Sequence, residues 1–285
     1  MQSAQPLISC IIPTKNRPQL VVRAVRSILT QTYANTEIIV VDDSTNDETR
    51  SILAQTGPKI RYIKNQVSKG APYSRNIGIA EAKGDIIAFL DDDDQWMPAK
   101  LEVQARLLRR QPIVSCNYLT TINGKRHYID RPDAVTFEQM LYYNYLGSCS
   151  CVAVSADIMQ GCFFDEGLRL GQDWDMWLAL MKKSGVAKAL NAGEYLVDYN
   201  SGVHSRISNA VDPLPSLLAI YDKYRADHSG ATTRLFSLYN LLPSQESLFA
   251  AIAKEILKAV YSGKNVLTVP VMLMKRILFR RTTMY

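Results

Sequence analysis

The sequence of 285 residues contains no long hydrophobic run. A helix that crosses a bilayer needs about 18 or more consecutive apolar residues, and because no such stretch occurs, no transmembrane helix is predicted. The first residues, MQSAQP, lack a basic segment followed by an apolar core, so no secretory signal is expected. Together these absences predict a cytoplasmic protein.

Cysteine is scarce and lacks the spacing of a metal site. No CxxC pair occurs, and most of the cysteines lie within apolar stretches, so zinc is not expected. An odd number of such residues predicts reduced, buried thiols, as in cytoplasmic proteins. The five cysteines are Cys10, Cys116, Cys149, Cys151 and Cys162.

Acidic residues are absent after Glu255. The six basic residues that follow carry the whole net charge of +6, so residues 1–257 are formally neutral. A nucleic-acid-binding protein would spread its cations over the body, so no nucleic acid is predicted as a partner. Segment 266–281 mixes apolar residues with Lys and Arg, which favours an interfacial helix on an anionic membrane surface. The alternative is a C-terminal helix packed on the body or on a partner subunit.

Apolar runs alternate with helical periodicity in the first half of the chain. Continuous apolar strands separated by helices predict an α/β fold with a mostly parallel sheet flanked by helices. Strands are predicted at 7–12, 37–41, 60–63, 86–90 and 113–116, and helices at 18–29, 47–55, 72–82 and 98–110. Further on, strands are predicted at 149–154 and 196–199, and helices at 135–145, 174–183, 214–225, 233–242, 244–261 and 266–280.

The domain organisation follows from this pattern. One domain is expected over residues 1–212, with a nucleotide-binding half at 7–118 and an acceptor half at 119–212. A helical C-terminal extension with a basic amphipathic tail is expected over 213–285.

Four consecutive aspartates, Asp91 to Asp94, follow the apolar run at 86–90. Each added carboxylate raises the cost of ionising its neighbours unless a cation joins them. Hard divalent cations favour oxygen ligands and usually bind one or two carboxylates together with substrate phosphates. The block therefore predicts an Mn²⁺ or Mg²⁺ site.

Polar residues also follow the other predicted strands. Thr14 and Arg17 come after the first strand, and Asp43 comes after the second. Ligands of open parallel sheets bind at the carboxyl ends of the strands, so these residues are expected to share one site with the acidic block. An ordinary helix cap remains an alternative for Asp43. Lys69 and Arg75 are either phosphate contacts or solvated residues of the loop between the third and fourth strands.

Two glycine-rich phosphate-binding motifs are absent. No GxGxxG follows the first strand and no GxxxxGK[ST] occurs, so neither a dinucleotide fold nor a P-loop is predicted. A nucleotide diphosphate held through a metal is favoured instead.

Five motifs in order resemble the family 2 glycosyltransferases, which are inverting enzymes of the GT-A fold. The motifs span residues 7 to about 208, and five in sequence are far more specific than any one alone. They are IIPTKNR at 11–17, IVVDDS at 39–44, GAPYSRNIG at 70–78, GDIIAFLDDDD at 84–94 and GQDWDMW at 171–177.

The resemblance assigns a role to individual residues of the donor site. It implies that Thr14 and Arg17 contact the edge of the nucleotide pocket and that Asp43 accepts a hydrogen bond from uracil. It matches Asp91 and Asp93 to the outer members of the DxD motif and favours Asp93 as the direct metal ligand. The run of four permits more than one register, so the contribution of Asp92 and Asp94 stays open.

The resemblance also implies a base and a third metal contact. Asp173 matches the catalytic base, although the family usually has Glu-Asp where this chain has Gln172-Asp173. An N-cap of the following helix is the alternative function of Asp173. His204 matches a histidine that approaches the metal or the diphosphate in many GT-A enzymes.

The implied function is inverting transfer of one hexosyl or N-acetylhexosaminyl residue from a nucleotide sugar, with a UDP-sugar favoured. The expected acceptor is a glycan, in particular a lipid-linked oligosaccharide or lipopolysaccharide, at the inner face of the cell membrane. Two other classes remain open. One is a catalytically silent assembly subunit that binds nucleotide sugar, and the other is a metal-dependent phosphotransferase, whose acidic motif normally follows the first strand.

Overall fold

The structure, a computed structural model, describes residues 5–57, 60–200 and 214–227. The strands are β1 (Ile8–Thr14), β2 (Thr36–Asp42), β3 (Ile60–Lys64), β4 (Ile86–Phe89), β5 (Gln95–Trp96), β6 (Ile113–Ile122), β7 (Lys125–Ile129), β8 (Ala134–Thr136), β9 (Ala153–Ser155) and β10 (Lys188–Tyr199). The helices are α1 (Pro18–Leu29), α2 (Glu48–Leu53), α3 (Ala71–Glu81), α4 (Lys100–Leu108), α5 (Phe137–Met140), α6 (Ala156–Met159), α7 (Gln172–Ser184) and α8 (Leu214–Lys223), with 3₁₀ turns at Cys149–Cys151 and Arg225–Asp227.

The ten strands of the described residues belong to one sheet, in the order β3-β2-β1-β4-β9-β6-β10-β5, with β7 paired to β6 and β8 paired to β10. The predicted parallel arrangement holds for β3-β2-β1-β4. Beyond β4 the sheet is mixed, because β9 runs antiparallel to both of its neighbours while β6 and β10 are parallel. Every residue of β1 is buried, as expected for a central strand covered on both faces.

The chain divides into two compact units. The first holds residues 1–140 and 144–211, and the second holds residues 141–143 and 212–285. The first unit contains the sheet and the helices α1 to α7, and the described part of the second contains α8. The predicted division into two halves and an extension stays a prediction, and the helices predicted after residue 227 lie outside the described residues.

Strand β1 continues through Pro13, where the sequence predicted that it would stop. Pro13 pairs with Val41 of β2, whereas the pairing with β4 ends at Ile11 and Phe89. The Ile11 carbonyl accepts a hydrogen bond from Leu90 on the β4 side, and the nitrogen of Pro13, two residues on, faces the same side beyond the end of β4. Because the recorded pairing with β4 ends before Pro13, the missing N–H interrupts no pair of this ladder and proline is tolerated.

The helix predicted over 135–145 is wrong in most of its length. Val135 lies in β8, which pairs with β10, and only Phe137–Met140 is helical. Thr136 and Gln139 form a capping box, in which the Gln139 N–H donates to Thr136 Oγ1 and the Thr136 N–H donates to Gln139 Oε1. This cap begins the helix after the strand. The strand predicted at 149–154 is also shorter, because Cys149–Cys151 forms a 3₁₀ turn before β9.

Gly78 allows α3 to pack against β1. A Cβ atom on Gly78 would lie 2.3 Å from Cγ2 of Ile11, which is fully buried. We expect Gly78→Ala to lower the free energy of unfolding by about 1–3 kcal/mol, because the two elements would have to separate. Urea denaturation measures this change, with Ala80→Ser on the exposed side of α3 as the control. Unchanged or increased stability of Gly78→Ala would contradict this account of the packing, since alanine is intrinsically the better helix former.

Candidate functional site

A cavity of about 430 Å³ lies at the carboxyl ends of β1, β2 and β4. Its walls combine the segment after each of these strands with the beginning of α3 and the end of β10. Polar ligands of α/β sheets bind at this edge because the strand ends and helix starts meet there. The lining residues are Pro13, Thr14, Lys15, Arg17, Asp43, Gly70, Ala71, Ser74, Arg75, Asp91, Asp92, Asp93 and Tyr199.

The four aspartates divide into an inner pair, Asp92 and Asp94, and an outer pair, Asp91 and Asp93. Asp92 and Asp94 are 6% and 1% exposed. Asp91 and Asp93 keep more exposed side chains, at 28% and 15%, and both line the cavity. The two more exposed carboxylates are therefore separated by one residue, which is the spacing of a DxD motif, and Asp92 between them also borders the cavity.

Two arginines supply positive charge to this block. Arg75 Nη2 lies 2.6 Å from Asp91 Oδ1, and Arg17 Nη1 lies 3.0 Å from Asp92 Oδ1 and 3.3 Å from Asp93 Oδ2. The sequence placed both arginines near the site but did not reveal which carboxylate each one pairs with. Partial neutralisation by arginine reduces the repulsion among the carboxylates.

The inner pair is held by hydrogen bonds that point into the protein. Thr14 Oγ1 donates to Asp92 Oδ2 at 2.7 Å, and Asp94 accepts from Ser150 Oγ at 2.6 Å and from the Asn200 N–H at 2.9 Å. Burial raises the pKa of Asp92 to about 6, against the hydrogen bond from Thr14 and the charge of Arg17. Burial, followed by repulsion from the outer pair, raises the pKa of Asp94 well above its usual range.

Asp43 anchors the loop between β3 and α3. Its Oδ1 accepts from Asn65 Nδ2 at 2.8 Å and from the Lys69 N–H at 2.9 Å, and its Oδ2 accepts from Ser68 Oγ at 2.7 Å and from the Gly70 N–H at 2.9 Å. Burial favours the neutral acid, but these four hydrogen bonds outweigh it and lower the pKa of Asp43. Asp43 is thus an ionised residue that fixes one wall of the cavity.

We expect Asp43→Asn to destabilise the protein by about 1–3 kcal/mol, because one amide N–H would face a backbone N–H that needs an acceptor. Urea denaturation measures this effect. Asp47→Asn is a matched control, since the Asp47 side chain is 74% exposed and its ion pair with Lys64 is a surface contact. Equal stability of the two variants would show that Asp43 does not anchor the loop.

Asp173 lies in the first turn of α7, which begins one residue earlier, at Gln172. The N-cap position is Gly171, whose φ of 69° favours glycine, so Asp173 is not the N-cap. Its Oδ1 accepts a hydrogen bond from the Trp174 N–H at 2.8 Å. Burial raises the pKa of Asp173, the hydrogen bond from Trp174 and the charge of Arg75 oppose the rise, and Asp91 adds to it.

Arg75 connects the acidic block to α7. Its Nη2 donates to Asp91 and its Nη1 donates to Gln172 Oε1 at 3.1 Å, while Nε has no hydrogen-bond partner among the described residues. The side chain is 8% exposed, and its guanidinium carbon lies 5.3 Å from the ring centre of Phe164. One buried cation therefore joins Asp91 of the acidic block to Gln172, the first residue of α7, which lie far apart in the sequence.

The outer aspartates fit a divalent cation. Asp91 and Asp93 offer cavity-facing carboxylate oxygens, the ligand type that Mg²⁺ and Mn²⁺ prefer. Within residues 5–57, 60–200 and 214–227, no group of three or more His, Cys, Asp or Glu is arranged to bind a metal. The described residues thus fit a cation that takes two carboxylates from the protein and further oxygens from a diphosphate.

Most predicted donor-site residues line this cavity, namely Thr14, Arg17, Asp43, Arg75, Asp91, Asp92 and Asp93. Lys69 does not belong to the lining; its ammonium lies 4.4 Å from the ring centre of Tyr73. His204 and the basic segment 266–281 lie outside the described residues. The sequence assigned no individual role to Lys15, which belongs to the polar cluster after β1, and it did not indicate Tyr199, at the end of β10.

The family model "Glycosyl transferase family 2" matches residues 9–164. This match covers more than half of the chain, including the acidic block. The chain belongs to glycosyltransferase family 2.

Named relatives of this family resemble most of the chain. One is "Putative colanic acid biosynthesis glycosyl transferase WcaA" of Escherichia coli K12, 31% identical over 251 residues, which cover 83% of this chain and 88% of the relative. Another is the UDP-Glc:alpha-D-GlcNAc-diphosphoundecaprenol beta-1,3-glucosyltransferase WfgD of Escherichia coli, 30% identical over 207 residues, with 71% and 80% covered. The protein is therefore a glycosyltransferase with relatives in polysaccharide biosynthesis.

Solved structures confirm the GT-A fold. S. aureus TarS 1–349 in complex with UDP-GlcNAc superposes with a TM-score of 0.66 at 16% identity, covering 89% of this chain and 80% of that one. The mannosyltransferase PcManGT of Pyrobaculum calidifontis, in complex with GDP-Man and Mn²⁺, gives a TM-score of 0.62 at 17% identity, covering 97% and 81%. None of the helices in the described part of this family 2 chain has the length and apolar character to span a membrane.

Proposed function

We propose that this glycosyltransferase moves one hexosyl or N-acetylhexosaminyl residue from a UDP-sugar to a glycan acceptor with inversion at the anomeric carbon. The observation that carries the proposal is the pair of carboxylate sites joined by Arg75. Asp91, at the donor end, accepts a hydrogen bond from Arg75, and Asp173, at the start of α7, interacts electrostatically with the same guanidinium. A single-displacement transferase needs one acidic site for the leaving diphosphate and a separate base for the acceptor.

The donor site is proposed to take the nucleotide between β1 and β2. Thr14 and Arg17 form one edge of it, and the loop anchored by Asp43 forms the other. We propose that Asp43 and this loop contact the uracil ring. The names of the relatives support uridine, because WfgD is a UDP-Glc transferase and TarS binds UDP-GlcNAc.

The diphosphate is proposed to lie against Asp91, Asp93 and Arg75. Mn²⁺ or Mg²⁺ held by the two aspartates, with His204 as a further ligand, would stabilise the charge that develops on the departing diphosphate. The unpaired Nε of Arg75 also supports an anionic ligand, because buried donors in folded proteins nearly always have a partner. Asp92 holds Thr14 and Arg17 in place, and Lys69 supports the site indirectly, because its backbone N–H donates to Asp43.

Asp173 is proposed to remove the proton from the acceptor hydroxyl as that oxygen attacks the anomeric carbon. The bond from the sugar to the diphosphate breaks as the new glycosidic bond forms, and the proton passes to Asp173. The charge of Arg75 helps to keep Asp173 ionised against the effect of burial. The partial positive charge at the N-terminal end of α7 also favours the ionised form of Asp173.

A lipid-linked oligosaccharide or lipopolysaccharide is proposed as the acceptor, at the inner face of the cell membrane. Support comes from WfgD, whose named acceptor is a GlcNAc-diphosphoundecaprenol, and from the basic segment 266–281.

We expect replacement of Lys275, Arg276, Arg280 and Arg281 by Ala to reduce binding to vesicles that contain anionic lipid. Each basic residue near such a surface contributes about 1 kcal/mol, so four replacements should lower the partition coefficient by more than about 100-fold. Vesicle sedimentation measures this, and neutral vesicles serve as the control. If the variant bound anionic vesicles as well as the wild type does, segment 266–281 would not be the membrane contact.

A donor-hydrolysis screen tests the proposed function. The full chain is incubated with UDP-, GDP- and dTDP-sugars and Mn²⁺, and release of the nucleoside diphosphate is measured. Release from a UDP-sugar alone, lost on chelation of the metal, is expected. Preference for GDP or dTDP would overturn the donor assignment. Binding of UDP-sugar without turnover, with or without glycan acceptors, would favour the silent assembly subunit, and release of free phosphate instead would favour a phosphotransferase.

A further inference from the structure

The amide of Gln172 uses both of its ends. Its Oε1 accepts a hydrogen bond from Arg75 Nη1 at 3.1 Å, and its Nε2 donates to the backbone carbonyls of Leu168 at 3.0 Å and Arg169 at 3.2 Å. The acceptor end therefore contacts a cation on α3, and the donor end contacts the turn before α7. A glutamate could make the first contact but not the second, because a carboxylate has no N–H.

The contact at Nη1 matters because the guanidinium is planar and its donors have a fixed geometry. When Gln172 holds Nη1, the directions of Nη2 and Nε are set as well. Nη2 meets Asp91 at 2.6 Å, and Phe164 covers one face of the group. Without Gln172, the guanidinium would keep its contact with Asp91 but could rotate about it.

We infer that Gln172 is a positioning residue, which orients the guanidinium of Arg75 so that one charge serves both the donor site at Asp91 and the proposed base Asp173. The inference rests on the proposed function and goes beyond it, because it gives a role to the residue at which this chain departs from the usual Glu-Asp. The side chain of Gln172 has two distinct contacts: its oxygen orients Arg75, and its N–H groups stabilise the turn at 168–169.

Two substitutions distinguish these effects. Gln172→Glu keeps an acceptor for Arg75 and loses both N–H donors. Gln172→Met has a side chain of similar length and loses both the acceptor and the donors. If Gln172 orients Arg75, kcat should fall about tenfold or more in Gln172→Met, the size of a lost hydrogen bond to a charged group, with a smaller change in the donor KM. Gln172→Glu should retain kcat within about threefold. If Gln172 only braces the turn, the two variants should lose activity equally.

A double-mutant cycle with Arg75→Lys adds a second test. Lysine can reach Asp91 but lacks the fixed geometry that Gln172 controls. In the Arg75→Lys background, Gln172→Met should therefore change kcat by less than about twofold, because coupled residues are not additive. Fully additive losses would contradict the inference. Thermal unfolding of each variant without nucleotide shows whether a loss of activity follows from loss of the fold.

The outcomes separate the inference from the proposed function. If the wild-type protein releases no nucleoside diphosphate from any sugar nucleotide, the proposed function fails and the inference fails with it. If the wild type is active and Gln172→Met keeps its kcat, only the inference is wrong. A tenfold loss of kcat in Gln172→Glu at an unchanged unfolding midpoint also overturns it, even if Gln172→Met does not fold.

Discussion

Replacing Asp173 by Asn should lower the rate of sugar transfer by about 10²- to 10⁴-fold, the range for loss of a general base. Asn keeps an oxygen that can accept the hydrogen bond from the Trp174 N–H, so α7 should form as before. The variant should bind UDP-sugar and Mn²⁺ as the wild type does. Steady-state transfer assays and titration calorimetry with the nucleotide measure these two properties.

Asp157→Asn is the matched control, because Asp157 also lies in the first turn of a helix, α6, but on the exposed surface. It should transfer sugar at the wild-type rate. Full activity of Asp173→Asn would exclude Asp173 as the base, and it would leave a helix-terminal role as the explanation for a carboxylate at this position.

The pH dependence of transfer follows from the environment of Asp173. Its pKa is raised, chiefly by burial, and a base acts only when ionised. As the pH falls through this raised pKa, the rate should therefore fall at a higher pH than it would for an ordinary aspartate. The acidic limb of kcat against pH measures this, and a limb at the usual aspartate pKa would show that burial does not perturb the acting base.

Asp91→Asn and Asp93→Asn should each lower metal-dependent turnover by about 100-fold or more, as expected for a lost contribution to transition-state charge stabilisation. Asp91→Asn also removes the carboxylate that pairs with Arg75, so its loss should be at least as large. Transfer assays across a range of Mn²⁺ concentrations measure both effects. A higher Mn²⁺ requirement should accompany each loss of rate.

Asp94→Asn is the control within the same block. Burial, followed by repulsion from Asp91 and Asp93, raises the pKa of Asp94, so an amide should be tolerated better here than at the outer pair. Its oxygen can still accept from the Asn200 N–H, and its N–H can donate to the Ser150 hydroxyl. If Asp94→Asn were as inactive as Asp93→Asn, the division into an outer metal-binding pair and an inner supporting pair would be wrong.

The place of the site could be predicted because it depends on local patterns. Apolar runs mark β1, β2 and β4, and a parallel sheet brings the residues that follow them to one edge. This is why Thr14, Asp43 and the acidic block were expected together and line one cavity. Pro13 was misjudged because its tolerance depends on where β4 ends, which the sequence of β1 does not contain.

The partners within the site could not be predicted in the same way. Arg75 and Gln172 are separated by 97 residues, and their contact depends on how α7 packs beside α3. For Lys69 the sequence left a phosphate contact and a solvated loop residue as alternatives, and its exposed side chain lies over Tyr73. The helix predicted over 135–145 failed for a similar reason, since pairing of Val135 with β10 outweighed the local helical pattern.

The anomeric configuration of the transferred sugar tests the central claim most directly. The donor selected by the hydrolysis screen is incubated with a glycan acceptor, and proton NMR coupling constants give the configuration of the new linkage. Direct displacement with Asp173 as the base predicts inversion, so an α-linked UDP-sugar should give a β-linked product. A product that retains the donor configuration would contradict the mechanism.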